Sequence, residues 1–145
     1  MNFRLQDIRE NMKLSQKEVA DILKVSQPTY SRWEKEVEII PLNKLILLAN
    51  YYGISLDYIC NLSNIKKESK AYNYKVDKKI SGNNIVTFRK EKNLTQKELA
   101  LFLNTTPSTV CAYEKGKTLI LTSFAYQICK RYNVSMDYIC GITKD

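Results

Sequence analysis

Apolar positions in the first part of the chain recur at helical spacing. Leu5, Ile8 and Met12 mark one face of a helix over about residues 3–12. Ser15 and Glu18 form an S-x-x-E capping box, in which the hydroxyl takes a free N–H at the helix start and the carboxylate reaches back. The box opens a second helix to about Leu23, with Val19, Ala20 and Leu23 turned inward. After a short Lys24-Val25 turn, Ser26 caps a third helix to about Lys35. Pro28 sits in its first turn, where a missing N–H costs nothing, and Tyr30 and Trp33 face inward. Beyond Pro41, the residues Leu42, Leu45, Ile46, Leu48, Ala49 and Tyr52 define a strongly apolar fourth helix. Gly53 ends it, suited to the left-handed conformation that follows a helix. Ser55 caps a last short helix through about Cys60. Strand-type alternation is absent, so the pattern predicts an all-α fold.

The whole pattern returns 80 residues later without a gap. Leu14-Ser15-Gln16-Lys17-Glu18-Val19-Ala20 falls on Leu94-Thr95-Gln96-Lys97-Glu98-Leu99-Ala100, and Ser55-Leu56-Asp57-Tyr58-Ile59-Cys60 falls on Ser135-Met136-Asp137-Tyr138-Ile139-Cys140. Thr95 and Glu98 repeat the capping box, Thr106-Pro107 repeats the cap and the first-turn proline, and Asn133 takes the place of Gly53. Each copy is long enough to fold as a small helical domain, whereas two copies are too few for a solenoid. The expected organisation is therefore a domain over 1–62, a basic connector over 63–82 and a second domain over 83–145. Ser81-Gly82 closes the connector, whose composition suits a flexible or partly helical tether.

Charge adds an asymmetry. The chain carries 23 Lys+Arg against 15 Asp+Glu, a net +8 that favours a polyanionic partner. Residues 1–62 are neutral, so the excess lies in the connector and the second copy. There is no histidine and no C-x-x-C pair, which argues against a metal site. Cys60, Cys129 and Cys140 occupy core-like slots, and Cys111 falls on a segment suited to facing a ligand. No cofactor is expected. Without a phosphate-binding loop or a paired-carboxylate constellation, an enzyme has little support. No apolar run approaches a membrane span and no signal-peptide core is visible, so the expected location is the cytoplasm.

A capped helix, a short turn and a second capped helix with polar residues at its start form a helix-turn-helix pattern. The run from Leu14-Ser15-Gln16-Lys17-Glu18 through Ser26-Gln27 and Thr29-Tyr30-Ser31-Arg32-Trp33-Glu34 resembles the Cro/phage-repressor-type, or xenobiotic-response-element, family. The resemblance continues through Pro41-Leu42 and Tyr52-Gly53-Ile54-Ser55-Leu56-Asp57-Tyr58, and residues 83–142 match apart from their third helix. It implies two tandem five-helix, lambda-repressor-like DNA-binding domains whose third helices enter the major groove. It also implies a structural pair between Arg9 and Glu34, matched by Arg89 and Glu114, and association through the last helices, around residues 56–62 and 136–142. A homodimer is one expectation; two heads from a single chain is the other.

The chemistry of the individual residues agrees with this. Gln16, first in the second helix, suits a phosphate oxygen beside free N–H groups, and Gln96 keeps that place. Gln27 opens the third helix, where its amide matches adenine N6 and N7; Arg32 matches guanine O6 and N7 or a phosphate. Pro28 and Thr29 suit a thymine methyl or a phosphate, Ser31 shares that face, and Lys17 and Lys35 suit phosphates. In the second copy Gln27, Ser31 and Arg32 give way to Pro107, Cys111 and Ala112. Ser108, Thr109 and Lys115 are the polar candidates that remain, with Gln96, Lys97 and Lys117 for phosphates. The expectation is a transcriptional repressor of a bacterial or phage-like type that binds double-stranded DNA. Its first copy supplies specificity and its second supplies electrostatic affinity or a docking surface. The alternative is an antitoxin-like or anti-repressor-like protein-binding module with weak or no DNA binding. No small-molecule domain is evident beside the two repeats.

Overall fold

The computed structural model describes residues 1–66 and 73–144, the last two by backbone alone. The chain divides into two units, residues 1–73 and 74–145. The first unit holds α1 (Leu5–Asn11), α2 (Gln16–Leu23), α3 (Gln27–Glu34), α4 (Leu42–Tyr52) and α5 (Leu56–Ile59). The second holds β1 (Tyr74–Val76), α6 (Lys78–Glu91), α7 (Gln96–Leu103), α8 (Pro107–Glu114), α9 (Thr122–Tyr132), α10 (Met136–Ile139) and β2 (Ile142–Lys144).

The local signals act where the sequence puts them. Ser15 and Thr95 form complete capping boxes with Glu18 and Glu98. Ser26 and Thr106 cap α3 and α8 through the N–H groups of Thr29 and Thr109. The turns between these helix pairs pivot on Lys24 and Asn104, both left-handed, at φ 57° and 58°. Gly53 and Asn133 end α4 and α9 in the same conformation. Val19, Ala20, Leu23, Tyr30, Trp33, Leu45, Leu48, Ala49, Leu56 and Ile59 fill the first core, and Leu99, Ala100, Leu103, Val110, Tyr113, Ala125, Ile128, Met136 and Ile139 fill the second. Cys60, Cys129 and Cys140 are buried, as their apolar settings imply.

The connector over 63–82 is shorter than its composition suggests. Its middle, residues 67–72, lies outside the described residues. From Tyr74 onward the chain already belongs to the second unit: β1 pairs antiparallel with β2, with Tyr74 opposite Lys144, Lys75 opposite Thr143 and Val76 opposite Ile142. Three-residue strands are too short to show alternation, which is why this small sheet escapes a periodicity search. Asp77 then caps α6 by accepting from the N–H groups of Lys79 and Ile80 at 2.8 and 3.0 Å. As a result α6 runs for 14 residues where α1 has 7.

Ser81 and Gly82, which read as linker residues, are small because this end of α6 is crowded. The Ser81 hydroxyl is buried and donates to the Ile139 carbonyl at 2.7 Å. Gly82 lies against the end of α8, where a Cβ would stand 2.5 Å from the Tyr113 carbonyl oxygen and 2.7 Å from that of Glu114. Helix propensity favours alanine over glycine by about 1 kcal/mol. A clash with backbone oxygens outweighs this, since overpacking costs about 1–3 kcal/mol. Gly82→Ala is therefore expected to lower the thermal midpoint of the chain, read by far-ultraviolet circular dichroism. An unchanged or raised midpoint would contradict the close crossing.

Candidate nucleic-acid interface

The third helix of each unit is held by a salt bridge. Arg9 Nε donates to Glu34 Oε2 at 2.6 Å and its Nη2 to Oε1 at 3.2 Å, while Nη1 caps the Leu14 carbonyl at 2.8 Å. The Glu34 side chain is 2% exposed and that of Arg9 12%. Burial alone would push the Glu34 carboxyl up. The hydrogen bonds from Arg9 and Gln16, with the neighbouring Tyr30 hydroxyl, outweigh it and hold the group below the ordinary carboxylate range. The second unit repeats the arrangement: Arg89 meets Glu114 at 2.7 and 3.0 Å and the Leu94 carbonyl at 2.9 Å.

From this pair a chain of hydrogen bonds runs to the surface. Gln16 Nε2 donates to Glu34 Oε1 at 3.0 Å, and Gln27 Nε2 donates to Gln16 Oε1 at 2.7 Å. Each amide keeps free valences. Gln16 has one N–H to spare, and Gln27 has one N–H and its carbonyl oxygen. The second unit stops one step earlier. Gln96 donates to Glu114 at 3.0 Å, but Pro107 stands where Gln27 would be.

The remaining sequence candidates fall on the same side of α3. Gln27, Pro28, Arg32 and Lys35 are exposed, Thr29 and Ser31 are half-buried, and Tyr30 and Trp33 point into the core. Lys17, one residue after Gln16 on α2, is exposed. Thr29 is already engaged, its hydroxyl 2.8 Å from that of Ser26. Arg32 Nη2 donates to Thr29 Oγ1 at 3.3 Å, and its Nε lies 3.2 Å from Glu38 Oε1. In the second unit Gln96, Ser108, Lys115 and Lys117, with Cys111 and Ala112, surround an open depression of about 340 Å³. Thr109 pairs with Thr106 at 3.0 Å, and Lys97 is exposed on α7.

Two acidic residues after α3 take roles that sequence reasoning did not assign. Glu36 is left-handed at φ 55°, and its carboxylate accepts from the N–H groups of Asn2 at 3.1 Å and Phe3 at 2.7 Å. Burial pushes this carboxyl up, yet those bonds hold it below its ordinary value. At the matching place stands Gly116, at φ 71°, where a Cβ would come within 3.1 Å of Lys79. Glu38 faces Arg32, and the one sequence sign of this is that the second copy lacks both, having Ala112 and Thr118. With Lys75, Lys78 and Lys79 assigned to it, the second unit holds 12 Lys+Arg against 6 Asp+Glu, and the first 11 against 9.

Among the described residues no cluster of His, Cys, Asp and Glu is placed to hold a metal ion. No described helix is long and apolar enough to cross a membrane.

Residues 5–59 and again residues 85–139 match the family model described as Helix-turn-helix. An uncharacterized HTH-type transcriptional regulator, YobD of Bacillus subtilis (strain 168), is 35% identical over 60 residues, which is 41% of this chain and 54% of that protein. The chain thus spans about half the length of this curated relative. A solved structure, the clp gene regulator ClgR from C. glutamicum, aligns with a TM-score of 0.40 at 20% identity, over 45% of this chain and 84% of that one.

The lowered Glu34 value fixes the sign of a pH effect. Its contribution to stability is complete above the unfolded carboxyl value, about 4.3, and disappears as pH falls through the lower folded value. Glu34→Gln is expected to cost about 3 kcal/mol near pH 7, because it leaves Arg9 without its counter-charge. In urea unfolding the gap to wild type should narrow steadily below about pH 4.3. A gap that stays constant into acid would show that the carboxylate is not held in its charged form by the fold.

Proposed function

Because the chain belongs to the helix-turn-helix family through both of its halves, we propose that it is a sequence-specific regulator that binds double-stranded DNA and acts as a repressor. In this reading α3 enters the major groove and Gln27 reads adenine. The observation that carries it is the Gln27 amide, exposed at the start of α3 and tied through Gln16 to the buried Arg9–Glu34 pair. Its spare N–H and carbonyl oxygen are the donor and acceptor that adenine N7 and N6 require. Gln16, with one N–H left over at the start of α2, supplies a phosphate contact together with Lys17 and Lys35. Pro28, Thr29 and Ser31 contribute shape and short-range contacts on the same face. Occupying a site that overlaps a promoter is enough to repress it.

The second unit contributes mainly charge. Its third helix offers no amide or guanidinium to a base, whereas Gln96, Lys97, Lys115 and Lys117, with Ser108 and Thr109, offer contacts to phosphates. Homodimerisation around residues 56–62 and 136–142 belongs to the same proposal. There Leu56, Ile59, Met136 and Ile139 are occupied in their own cores, so the contact would fall to flanking residues such as Tyr58 and the more exposed Tyr138.

A second reading, a protein-docking module, draws on one observation. Leu101 and Phe102 on α7 are 81% and 37% exposed, an apolar surface on the unit with the weaker base-reading helix. Binding to mixed genomic fragments separates the two readings. The DNA-binding reading expects affinity that falls steeply with salt; no binding at low salt would leave the protein-docking reading.

Two variants test the division of labour. Gln27→Ala should reduce discrimination at one base position by about 1–3 kcal/mol. Lys117→Ala should weaken all sequences alike and lower the salt slope by about 1. A preferred site unaltered by Gln27→Ala would refute the assignment of base readout to this residue.

A further inference from the structure

Building on the reading of α3 as the base-contacting helix, we infer that Glu38 is a positioning residue for Arg32. Its carboxylate fixes the guanidinium so that the free end of the fork meets a guanine, and its charge weakens binding to every other sequence. Arg32 is held at two points: Nη2 donates to Thr29 Oγ1 at 3.3 Å, and Nε lies 3.2 Å from Glu38 Oε1. A guanidinium has five N–H donors in one plane. One is donated to Thr29, and the Nε side of the plane faces the Glu38 carboxylate as an ion pair, leaving both hydrogens of Nη1 and one of Nη2. Those are the donors an end-on, bidentate contact with guanine O6 and N7 uses.

The backbone brings Glu38 to this position. After α3 the chain turns through Glu36 in the left-handed conformation, and the N–H groups of Val37 and Glu38 both approach the Arg32 carbonyl, at 3.0 and 3.4 Å. The Glu36 carboxylate pins the same turn to the N–H groups of Asn2 and Phe3. Glu38 therefore stands on a fixed loop, beside an arginine whose other anchor, Thr29, is itself bonded to the Ser26 cap.

The second unit supplies an internal control. Its turn is kept, with the Lys117 N–H on the Ala112 carbonyl at 3.0 Å. Yet Ala112 and Thr118 replace Arg32 and Glu38 together. Fold maintenance accordingly does not call for an acid here; the acid accompanies the arginine. A carboxylate near the DNA surface repels phosphates, so its presence lowers general affinity. An arginine already ordered loses less conformational freedom when it meets its base.

The test uses the full chain. Selection from a random duplex pool defines the preferred site, and titrations on that duplex and its single-base variants measure discrimination and salt dependence. Arg32→Ala should remove a guanine preference of about 5- to 100-fold at one position. Glu38→Ala should reduce discrimination at that same position by about 3- to 10-fold while raising affinity for unrelated duplexes at low salt. Glu38→Gln, which keeps an acceptor for Nε without the charge, should restore the discrimination and retain the raised general affinity. Both side chains are solvent-exposed, at 44% and 56%, so the variants should fold.

If Arg32→Ala loses the guanine preference and Glu38→Ala keeps it, the positioning role is wrong and the DNA reading stands. If Arg32→Ala changes no base preference, Arg32 reads no base and the inference fails with it. If the wild-type chain binds no duplex at low salt, the underlying reading and the inference fall together.

Discussion

The arginine–glutamate pair between the first and third helices is the constraint on which the exposed face of the third helix depends. A buried ion pair contributes little net stability compared with apolar side chains of the same size, but breaking it is costly. What it supplies here is orientation. With Arg9 also capping the Leu14 carbonyl, the end of α1, the start of α2 and the last turn of α3 are tied to one guanidinium. The same three elements meet at Arg89 in the second unit, with distances that agree within a few tenths of an ångström. Gln16 then carries the constraint outward, because a carboxylate with two oxygens can accept from Arg9 and from the amide together.

Duplication has preserved this frame and let the contact chemistry diverge. The arginine, the glutamate and the first glutamine of the network are present twice, although Val110 stands in place of Tyr30, whereas the residue that extends the network to the surface, Gln27, is present once. A similar split appears after the third helix. In the first unit Glu36 and Glu38 are acids engaged by partners within their own unit; in the second Gly116 admits Lys79 beside Lys115 and Lys117. In the proposed reading the first unit thus combines the base-reading groups with reduced positive charge, and the second the reverse. Specific and general contacts differ in kind: base edges are read by geometry, phosphates by charge. If the proposed division of labour holds, two domains let each be tuned without spoiling the other.

Much of this was legible along the chain, and the reason is physical. Caps, first-turn prolines, helix-ending Gly53 and Asn133 and the apolar stripes act between residues a few positions apart, so the sequence alone determined ten helices in two matched sets and the outward face of α3. The 80-residue repeat determined the domain count and pointed to which polar positions had been exchanged. Tertiary structure decided what depends on contacts between distant segments. The second unit starts at Tyr74 because β1 finds β2 nearly 70 residues away, a pairing that three-residue strands cannot advertise. Gly82 has the composition of a linker, and only the approach of α8 reveals why it is small. No partner for Glu36 or Glu38 is visible along the chain; the turn after α3 sets one on the backbone of residues 2 and 3 and the other beside Arg32. Local order was written locally; the partners of a charge were not, because nothing near Glu36 or Gly82 in sequence carries the group that each one meets.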